Sequence, residues 1–296
     1  MIIAKATGGL GNQLFQYALG RHLALLNNDT LKMEANYYIN SSFVYTLGRF
    51  NTHQEITKEE DYLRAGLPNI GDASFYGRIK RKIFRISEGL KPIHKKKFIT
   101  EPDFTFCPEI LNVRSSCYLS GVWQSEKYFK NIEDTIRKEI TLRNEPSSEV
   151  KNWIAKTSES NSVSIHIRRG DYVDNPRINK FHGVCPIEYY TNAIDCISQS
   201  IHNPTFYVFS NDIEWAKNNL RVSYPIFFVS DKIIPDHEEL IIMSNCKHNI
   251  IANSTFSWWG AWLNVNQDKI VIAPQKWFTG SDTNTKDLIP EAWVRI

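Results

Sequence analysis

The chain has 296 residues, of which 42% are hydrophobic and 23% are charged, and its formal net charge is +3. This composition is typical of a soluble globular protein, and the length predicts two domains. No window reaches the roughly 18 continuous apolar residues of a membrane span, and the start, MIIAKATGGLGNQ, has no signal-peptide pattern. We therefore expect a cytoplasmic protein.

The chain begins with a strand, a glycine-rich turn and a helix. Residues 2–6 are apolar enough for a short strand, and apolar residues at three- and four-residue spacings predict a helix that ends near Asn27. This order resembles the start of a Rossmann unit, although Leu14 stands where the dinucleotide fingerprint has its third glycine. We still expect the helix N-terminus to approach a ligand, with Asn12 offering its side-chain amide.

Residues 30–115 show no sustained period, so we expect loops, short helices and at most one buried strand there. Within them, the segment from Arg78 to Lys97 holds nine Lys and Arg and one acid. Such a run is usually a solvated basic face, and the alternatives are an anionic membrane surface, a lipid pyrophosphate or nucleic acid. No recognised nucleic-acid motif accompanies the run, so we expect no nucleic-acid partner and retain peripheral membrane contact through residues 78–97.

The two domains are predicted to meet near a proline-containing break. The segment 117–123 predicts a strand and 132–140 a helix, and the sequence NEPSS at 144–148 follows them. We therefore predict domains 1–148 and 149–296, with the last helix as a candidate to pack back on the first domain.

The second half alternates apolar strands with amphipathic helices, which predicts an α/β domain with a parallel sheet covered on both faces. The predicted strands are 163–168, 205–210, 226–230, 249–253 and 269–273, and the predicted helices lie near 187–200, 212–220, 237–246 and 256–264.

The stretch SVSIHIRRGD, residues 162–171, carries the densest polar cluster of the chain. Its period of two places His166 and Arg168 on one face, and Arg169 to Asp171 then break the strand. An arginine at the carboxyl end of a strand suits forked recognition of a phosphate or carboxylate. The alternative is an ion pair from Arg168 or Arg169 to Asp171 that closes a turn.

Other polar residues follow neighbouring strands, where α/β sheets bind ligands. Hydroxyls and free N–H groups at the N-terminus of the helix that follows Asn253 could bind a phosphate, whereas its tryptophans are more often core residues. Glu239 could accept hydrogen bonds from a base edge. Each residue alone could equally be a turn or helix cap. The candidates are Ser210, Asn211, Ser254, Thr255 and Ser257.

Four motifs lie in order between residue 7 and about residue 264: GGLGNQLFQYALGRHLA, HIRRGDYV, SNDIEWAKNNL and CKHNIIANSTFSWWGAWLN. Together they resemble the family 11 glycosyltransferases, the α-1,2-fucosyltransferases, in their bacterial branch. The resemblance implies an α/β fold of GT-B type, with two Rossmann-like domains and a cleft between them. It also implies that residues 1–148 serve the acceptor and that residues 149–296 bind GDP-β-L-fucose.

The same resemblance implies site residues by position. Arg168 would hold the pyrophosphate, and His166 and Asp171 would support the site. Asn12 matches an asparagine that reaches the donor phosphate, and Glu239 stands where relatives usually have aspartate against the guanine. Candidates for a general base are Asp171, which we favour, and Asp174 and Glu188. The remaining expected donor ligands are Arg169, Ser210, Asn211, Ser254, Thr255 and Phe256.

The implied reaction is inverting transfer of L-fucose to the 2-hydroxyl of a galactose residue, in O-antigen or surface-polysaccharide synthesis, without metal or other cofactor. The expected partners are GDP-fucose and a galactose-terminated oligosaccharide, with a lipid-linked form as one option. Two alternatives stay open: a transferase with a different sugar-nucleotide donor, and a non-catalytic carbohydrate- or nucleotide-binding protein. The five cysteines form no CxxC pair and predict buried thiols in a reducing compartment.

Overall fold

The chain forms two compact units in a computed structural model that describes residues 1–68, 74–231, 234–280 and 283–296. The side chains of Asp171 and Asp231 lie outside this description. Unit 1 comprises Met1–Ile140 with Lys286–Leu288, and unit 2 comprises Thr141–Thr285 with Ile289–Ile296.

Unit 1 is a parallel sheet with helices. Its strands run in the order β3-β2-β1-β5-β4, and every described pair is parallel. Its elements in chain order are β1 (Ile2–Lys5), α1 (Leu10–Leu26), β2 (Leu31–Glu34), β3 (Glu55–Ile56), α2 (Glu59–Arg64), α3 (Phe75–Gly89), β4 (Phe98–Thr100), β5 (Cys117–Ser120) and α4 (Glu133–Glu139).

Residues 30–115 hold more strands than expected: β2 is largely buried, as the one expected buried strand would be, whereas β3 is exposed and β4 is partly buried. These strands are short, and their polar residues find partners only in the folded unit. Lys32 of β2 pairs with Asp61 at 3.0 Å and with Glu55 at 3.2 Å. Glu34 accepts a hydrogen bond from the Tyr118 hydroxyl at 2.9 Å. Charged residues inside strands hide the apolar period from sequence reasoning.

Unit 2 holds a six-stranded sheet in the order β11-β10-β9-β6-β7-β8, again with parallel pairs. The predicted α/β class with two Rossmann-like domains is confirmed. The elements are α5 (Ser148–Glu159), β6 (Asn161–Ile167), α6 (Asp171–Asp174), α7 (Pro176–His182), α8 (Ile187–Ser200), β7 (Pro204–Ser210), α9 (Ile213–Asn219), β8 (Ile226–Phe228), α10 (Asp236–Ser244), β9 (His248–Ile250), α11 (Thr255–Leu263), β10 (Val271–Ala273) and β11 (Val294–Arg295).

The central strand β6 sits between β7 and β9, with Ile165 opposite Val208 on one side and Ile250 on the other. Residues 162–167 of this strand are all buried. Even the polar Ser164 is enclosed, and its hydroxyl accepts a hydrogen bond from Asn249 at 2.7 Å. A strand covered on both faces has little freedom, so β6 is a rigid support for the residues at its carboxyl end.

A short segment near the end of the chain, Lys286–Leu288, belongs to unit 1. The last described helix, α11, belongs to unit 2, whereas Lys286–Leu288 belongs to unit 1. There Asp287 accepts hydrogen bonds from the Lys127 ammonium at 2.7 Å and the Phe106 amide at 2.9 Å. Lys127 and Asp287 therefore fix this segment within unit 1.

The five cysteines are unpaired thiols, and three of them are buried while Cys107 and Cys196 are partly exposed. The expectation of buried thiols thus holds for three of the five. Among the helices that the structure describes, none combines the length and the apolar character needed to cross a bilayer.

Candidate active site

Arg168 lies directly after β6, at the carboxyl edge of the unit 2 sheet, and is partly exposed. Its guanidinium stands over the ring of Tyr172 at 5.2 Å, and Tyr172 in turn stacks on the ring of His182 at 4.7 Å. A cation over an aromatic face is attracted by the ring quadrupole, so this contact restrains the guanidinium. Arg168 is thereby positioned at the edge where α/β sheets bind ligands.

Arg169 is engaged in building the turn. Its Nε donates to Asp212 at 3.2 Å, its backbone amide donates to Asn211 at 2.8 Å, and its guanidinium lies 4.0 Å from the Trp215 ring centre. Arg169 therefore makes an ion pair with Asp212, which follows β7. The alternative pairing with Asp171 falls on a side chain outside the described residues. Arg169 ties the ends of β6 and β7 together.

The turn requires a glycine at position 170. Gly170 has a φ of +34°, which lies in the left-handed region, and a Cβ built there would come within 2.4 Å of Asn211 Nδ2. Both observations make any side chain at this position unfavourable. Because Gly170 has no Cβ, the Asn211 side chain can lie close to it and accept the hydrogen bond from the Arg169 amide.

His166 points into the protein and is 5% exposed. Burial, assisted by the charge of Arg168, lowers the pKa of its imidazole to about 3, so the ring is neutral at pH 7. The ring lies 5.5 Å from that of Phe256. Within the described part of the chain, Nδ1 of His166 has no hydrogen-bond partner. A buried polar atom without a partner is costly, which makes this nitrogen a candidate to contact a ligand.

Helix α11 presents its N-terminus at the end of β9, the strand next to β6. Ser254 is the N-cap residue, and its carbonyl accepts the first helical bond, from the Trp258 amide at 3.0 Å. The amides of the preceding positions, including Thr255 and Phe256, point out of the helix end, where a phosphate would be stabilised. Thr255 and Phe256 are partly exposed.

Two further expectations for α11 have different outcomes. The Ser257 hydroxyl is fully buried and donates to the Ser254 carbonyl at 3.2 Å, so the expectation that it faces a phosphate is wrong. Trp258, Trp259 and Trp262 are at most 2% exposed and form the core, as predicted.

The ends of β7 and β8 are joined by serines. The Ser210 amide donates to Ser230 Oγ at 3.1 Å, and Ser210 Oγ accepts from the Asp212 amide at 3.0 Å. Glu239 of α10 lies beside the same Ser230. Burial raises the pKa of the Glu239 carboxyl to about 7, against the opposing effect of the Ser230 hydrogen bond. A carboxylate poised near neutrality is a typical feature of binding and catalytic sites.

A cavity of about 260 Å³ opens beyond the ends of β9 and β10, within unit 2. Asn253 organises its wall by donating to the carbonyls of His182 at 2.8 Å and Trp277 at 3.2 Å, while its Oδ1 faces the Cys185 thiol at 3.5 Å. Sequence reasoning missed this cavity because most of its lining comes from loops, which have no period. The signal available was Asn253 itself, a polar residue directly after a buried strand. Lining residues include Cys185, Tyr189, Asn253, Gln275 and Phe278.

Unit 1 carries its own polar edge. Asn12 lies in the first turn of α1 and accepts a hydrogen bond from Gln124 at 3.0 Å. Gly8 has a φ of +74°, and a Cβ there would approach Asn12 Nδ2 to 2.6 Å. Nearby, Glu101 accepts hydrogen bonds from the Val122 amide at 2.6 Å and the Trp123 amide at 2.9 Å.

Among the described residues, no cluster of three His, Cys, Asp or Glu side chains is arranged to hold a metal ion.

The family model described as Glycosyl transferase family 11 matches residues 1–296. The chain belongs to this family. The resemblance seen in the motifs is therefore confirmed, the chain is a glycosyltransferase, and its two α/β units are those expected of the GT-B type.

Several characterised proteins are similar to this family 11 chain. An α-1,2-colitosyltransferase of Escherichia coli is 35% identical, over 100% of this chain and 99% of its own. The O-antigen biosynthesis glycosyltransferase WbnK of Escherichia coli is 33% identical over 98% of each chain. Human galactoside α-(1,2)-fucosyltransferase 1 is 28% identical over 60% of this chain and 52% of its own. A solved structure of the fucosyltransferase NodZ from Bradyrhizobium is 14% identical, covers 88% of this chain and 90% of its own, and has a TM-score of 0.49.

Proposed function

We propose that this glycosyltransferase moves L-fucose from GDP-β-L-fucose to the 2-hydroxyl of a galactose residue, with inversion and without metal. The observation that carries the proposal is the pairing of β6 with β9. This pairing puts Arg168 and the N-terminus of α11 on adjacent strand ends, where both can neutralise a pyrophosphate. The motifs that hold these groups are those shared with the fucosyltransferase branch of the family.

The chemical step is a single displacement. The acceptor oxygen forms a bond to C1 of the sugar while the bond from C1 to the β-phosphate oxygen breaks, and GDP leaves with the electron pair. The acceptor proton passes to a carboxylate, for which Asp171, Asp174 and Glu188 are the candidates. Negative charge grows on the β-phosphate, so a fixed arginine and helix N–H groups stabilise the transition state more than the ground state.

His166 acts in this proposal as a neutral group. Because the pKa of its imidazole is lowered to about 3, it does not donate a proton by titrating at pH 7. Its Nδ1 has no hydrogen-bond partner in the described part of the chain, and we assign it a hydrogen bond to the donor; its ring packs against that of Phe256. Glu239 is assigned to the guanine edge, where an ionised carboxylate accepts from N1 and N2.

The proposed acceptor is a galactose-terminated glycan of a bacterial surface polysaccharide. Support comes from the name of WbnK, an O-antigen biosynthesis glycosyltransferase that is similar over nearly the whole chain. The human relative, whose name specifies a galactoside acceptor and an α-(1,2) linkage, matches 60% of this chain.

A second candidate is colitosyl transfer, favoured by the 35% identity to an α-1,2-colitosyltransferase over the whole chain. Colitose is L-fucose without the 3-hydroxyl, so the two donors differ by one polar group. A site that hydrogen-bonds the 3-hydroxyl would reject colitose strongly, whereas an apolar site discriminates only weakly against fucose.

The test offers the purified protein GDP-fucose, GDP-colitose or GDP-mannose in the presence of EDTA. The acceptors are lactose, Galβ1-3GalNAc and Galβ1-4GlcNAc, and NMR identifies the anomer and linkage of each product. An α-1,2-fucosylated galactose formed faster than its colitose counterpart supports the proposal. A higher kcat/KM for GDP-colitose replaces it with the second candidate, and activity only after metal addition refutes metal independence.

A further inference from the structure

Helix α3 of unit 1 carries an apolar stripe on its solvent side. At about 100° per residue, the stripe's positions fall within an arc of roughly 100°. A surface helix normally turns such a stripe toward the core. The stripe comprises Phe75 (73% exposed), Tyr76 (76%), Ile79 (39%), Ile83 (61%), Ile86 (59%) and Leu90 (85%), the last being the C-cap residue.

The opposite face of α3 anchors the helix to unit 1. Phe84 packs against the cluster that includes Ile3 and Tyr118. Glu88 is buried, and its carboxylate accepts from the Lys91 ammonium at 2.6 Å and from the Phe98 amide at 3.0 Å. With this face fixed, the apolar stripe is held outward and cannot turn inward by rotation of the helix.

Basic side chains border the stripe. Arg78, Lys82 and Arg85 lie on one flank and Lys80 lies on the other, and all four are exposed. The one acid between Arg78 and Lys97 is Glu88, which is buried and paired on the inner face. The outward surface of the helix is therefore apolar along its crest and positively charged along its sides.

We propose that α3 lies in the surface of an anionic lipid bilayer, with the apolar stripe among the acyl chains and the flanking cations at the headgroups. An outward apolar face bordered by Lys and Arg is the form of interfacial helices. Anionic lipids attract such cations, with each Lys or Arg adding to the binding. A second copy of the chain docked on this face would instead bring like charges together.

This inference extends the sequence-based expectation of membrane contact through residues 78–97. A basic run alone predicts loose electrostatic attachment, which salt removes. The exposed apolar stripe additionally predicts that the helix inserts into the bilayer. The strength of insertion depends on apolar area and is not removed by salt. The inference does not rest on the proposed reaction, because transfer to a soluble acceptor requires no bilayer.

The test is sedimentation of the full chain with large vesicles of phosphatidylcholine, alone or with 30% phosphatidylglycerol, at about 0.1 M and 0.5 M salt. The first variant, Ile83→Ser with Ile86→Ser, removes apolar area, and the second, Arg78→Gln with Lys82→Gln and Arg85→Gln, removes charge. Leu63→Ser and Val265→Ser are matched controls, since these side chains are 60% and 70% exposed elsewhere.

We expect binding to the anionic vesicles, a drop of at least tenfold in the partition coefficient for both variants, and no change for the controls. Fluorescence of Ile83→Trp should shift to the blue on anionic vesicles. The proposal is overturned by a lack of wild-type binding to anionic vesicles. It is also overturned by an Ile variant that binds these vesicles as strongly as wild type. Loss of a dimer in the Ile variants, without loss of vesicle binding, would assign the stripe to self-association. Fucosyl transfer to lactose without vesicles reports separately on the proposed function.

Discussion

The imidazole of His166 packs against the ring of Phe256, with 5.5 Å between the ring centres and an angle of 48° between the planes. The contact joins β6, the strand that Arg168 directly follows, to the first turn of α11. Arg168 and the N-terminus of α11, the two groups proposed to stabilise the donor pyrophosphate, thus lie next to the two residues of one aromatic contact. Preorganised charge of this kind needs little rearrangement during the reaction.

Removal of Arg168 should abolish most of the turnover. Arg168→Ala is expected to lower kcat by a factor of about 100 to 1,000, the usual cost of losing one electrostatic stabiliser. Arg168→Lys should recover only part of this loss, because an ammonium lacks the planar fork. Initial rates with GDP-fucose and lactose measure both variants, and the exposed Arg143→Ala serves as the control. A kcat for Arg168→Ala within threefold of wild type would contradict the role.

His166 should make unfolding depend on pH. The pKa of its imidazole falls from an ordinary value of 6.5 to about 3 in the fold, so between these values only the unfolded state binds the proton. The free energy of unfolding therefore rises with pH in this window, by up to about 1.4 kcal/mol per pH unit. His166→Gln should lose this contribution. Urea unfolding of both proteins from pH 4 to 6 measures it, and parallel pH slopes would show that the imidazole is not buried as described.

Glu239 should couple donor binding to pH near neutrality. Burial raises the pKa of its carboxyl to about 7, and only the ionised form can accept two hydrogen bonds from guanine. GDP affinity is therefore expected to rise by about tenfold from pH 6 to pH 8, the change in the ionised fraction. Glu239→Gln should flatten this rise and reduce the preference for GDP over IDP, which lacks the 2-amino group. Calorimetric titration measures both effects, and an unchanged preference would move Glu239 away from the base.

Gly170 should resist replacement by alanine. Its φ of +34° and the 2.4 Å approach of Asn211 to a built Cβ predict a loss of about 1–2 kcal/mol in the free energy of unfolding for Gly170→Ala. The displaced Asn211 would release the Arg169 amide, so kcat/KM should fall as well. Gly280→Ala is the matched control, because a Cβ there meets no atom of the described residues within 4 Å. Equal urea midpoints for the two variants would show that the turn tolerates a side chain.

The second half was readable from sequence because its central strands are buried on both faces. Strand β7, with the sequence PTFYVFS, is buried at all but one of its positions, which forces a nearly continuous apolar run. The first half was less readable. Lys32 and Glu34 lie within β2. Lys32 forms ion pairs with Asp61 and Glu55, and Glu34 accepts a hydrogen bond from Tyr118, all partners that are far away in sequence. Local patterns do not report such distant pairing.

The residues of the candidate site divide in the same way, into those that a local sequence pattern predicts and those that depend on distant partners. Arg168 and Ser254 were predictable because each follows a recognisable strand. The hydrogen bonds of Asn253 were not predictable, since its three backbone acceptors lie at the end of α7 and in loops, at His182, Gly183 and Trp277. The choice of Asp212 as the partner of Arg169 also depends on the pairing of β6 with β7, which only the folded sheet establishes.

The pairing of β6 with β9 also orders events during synthesis. Val163 lies opposite His248, so the two strands that carry the proposed phosphate ligands are separated by the whole of α6 to α10. Closing so long a loop costs entropy before any contact compensates for it, and parallel pairing of this kind is intrinsically slow. A nascent chain that has left the ribosome only as far as β8 therefore possesses Arg168 but has no donor site.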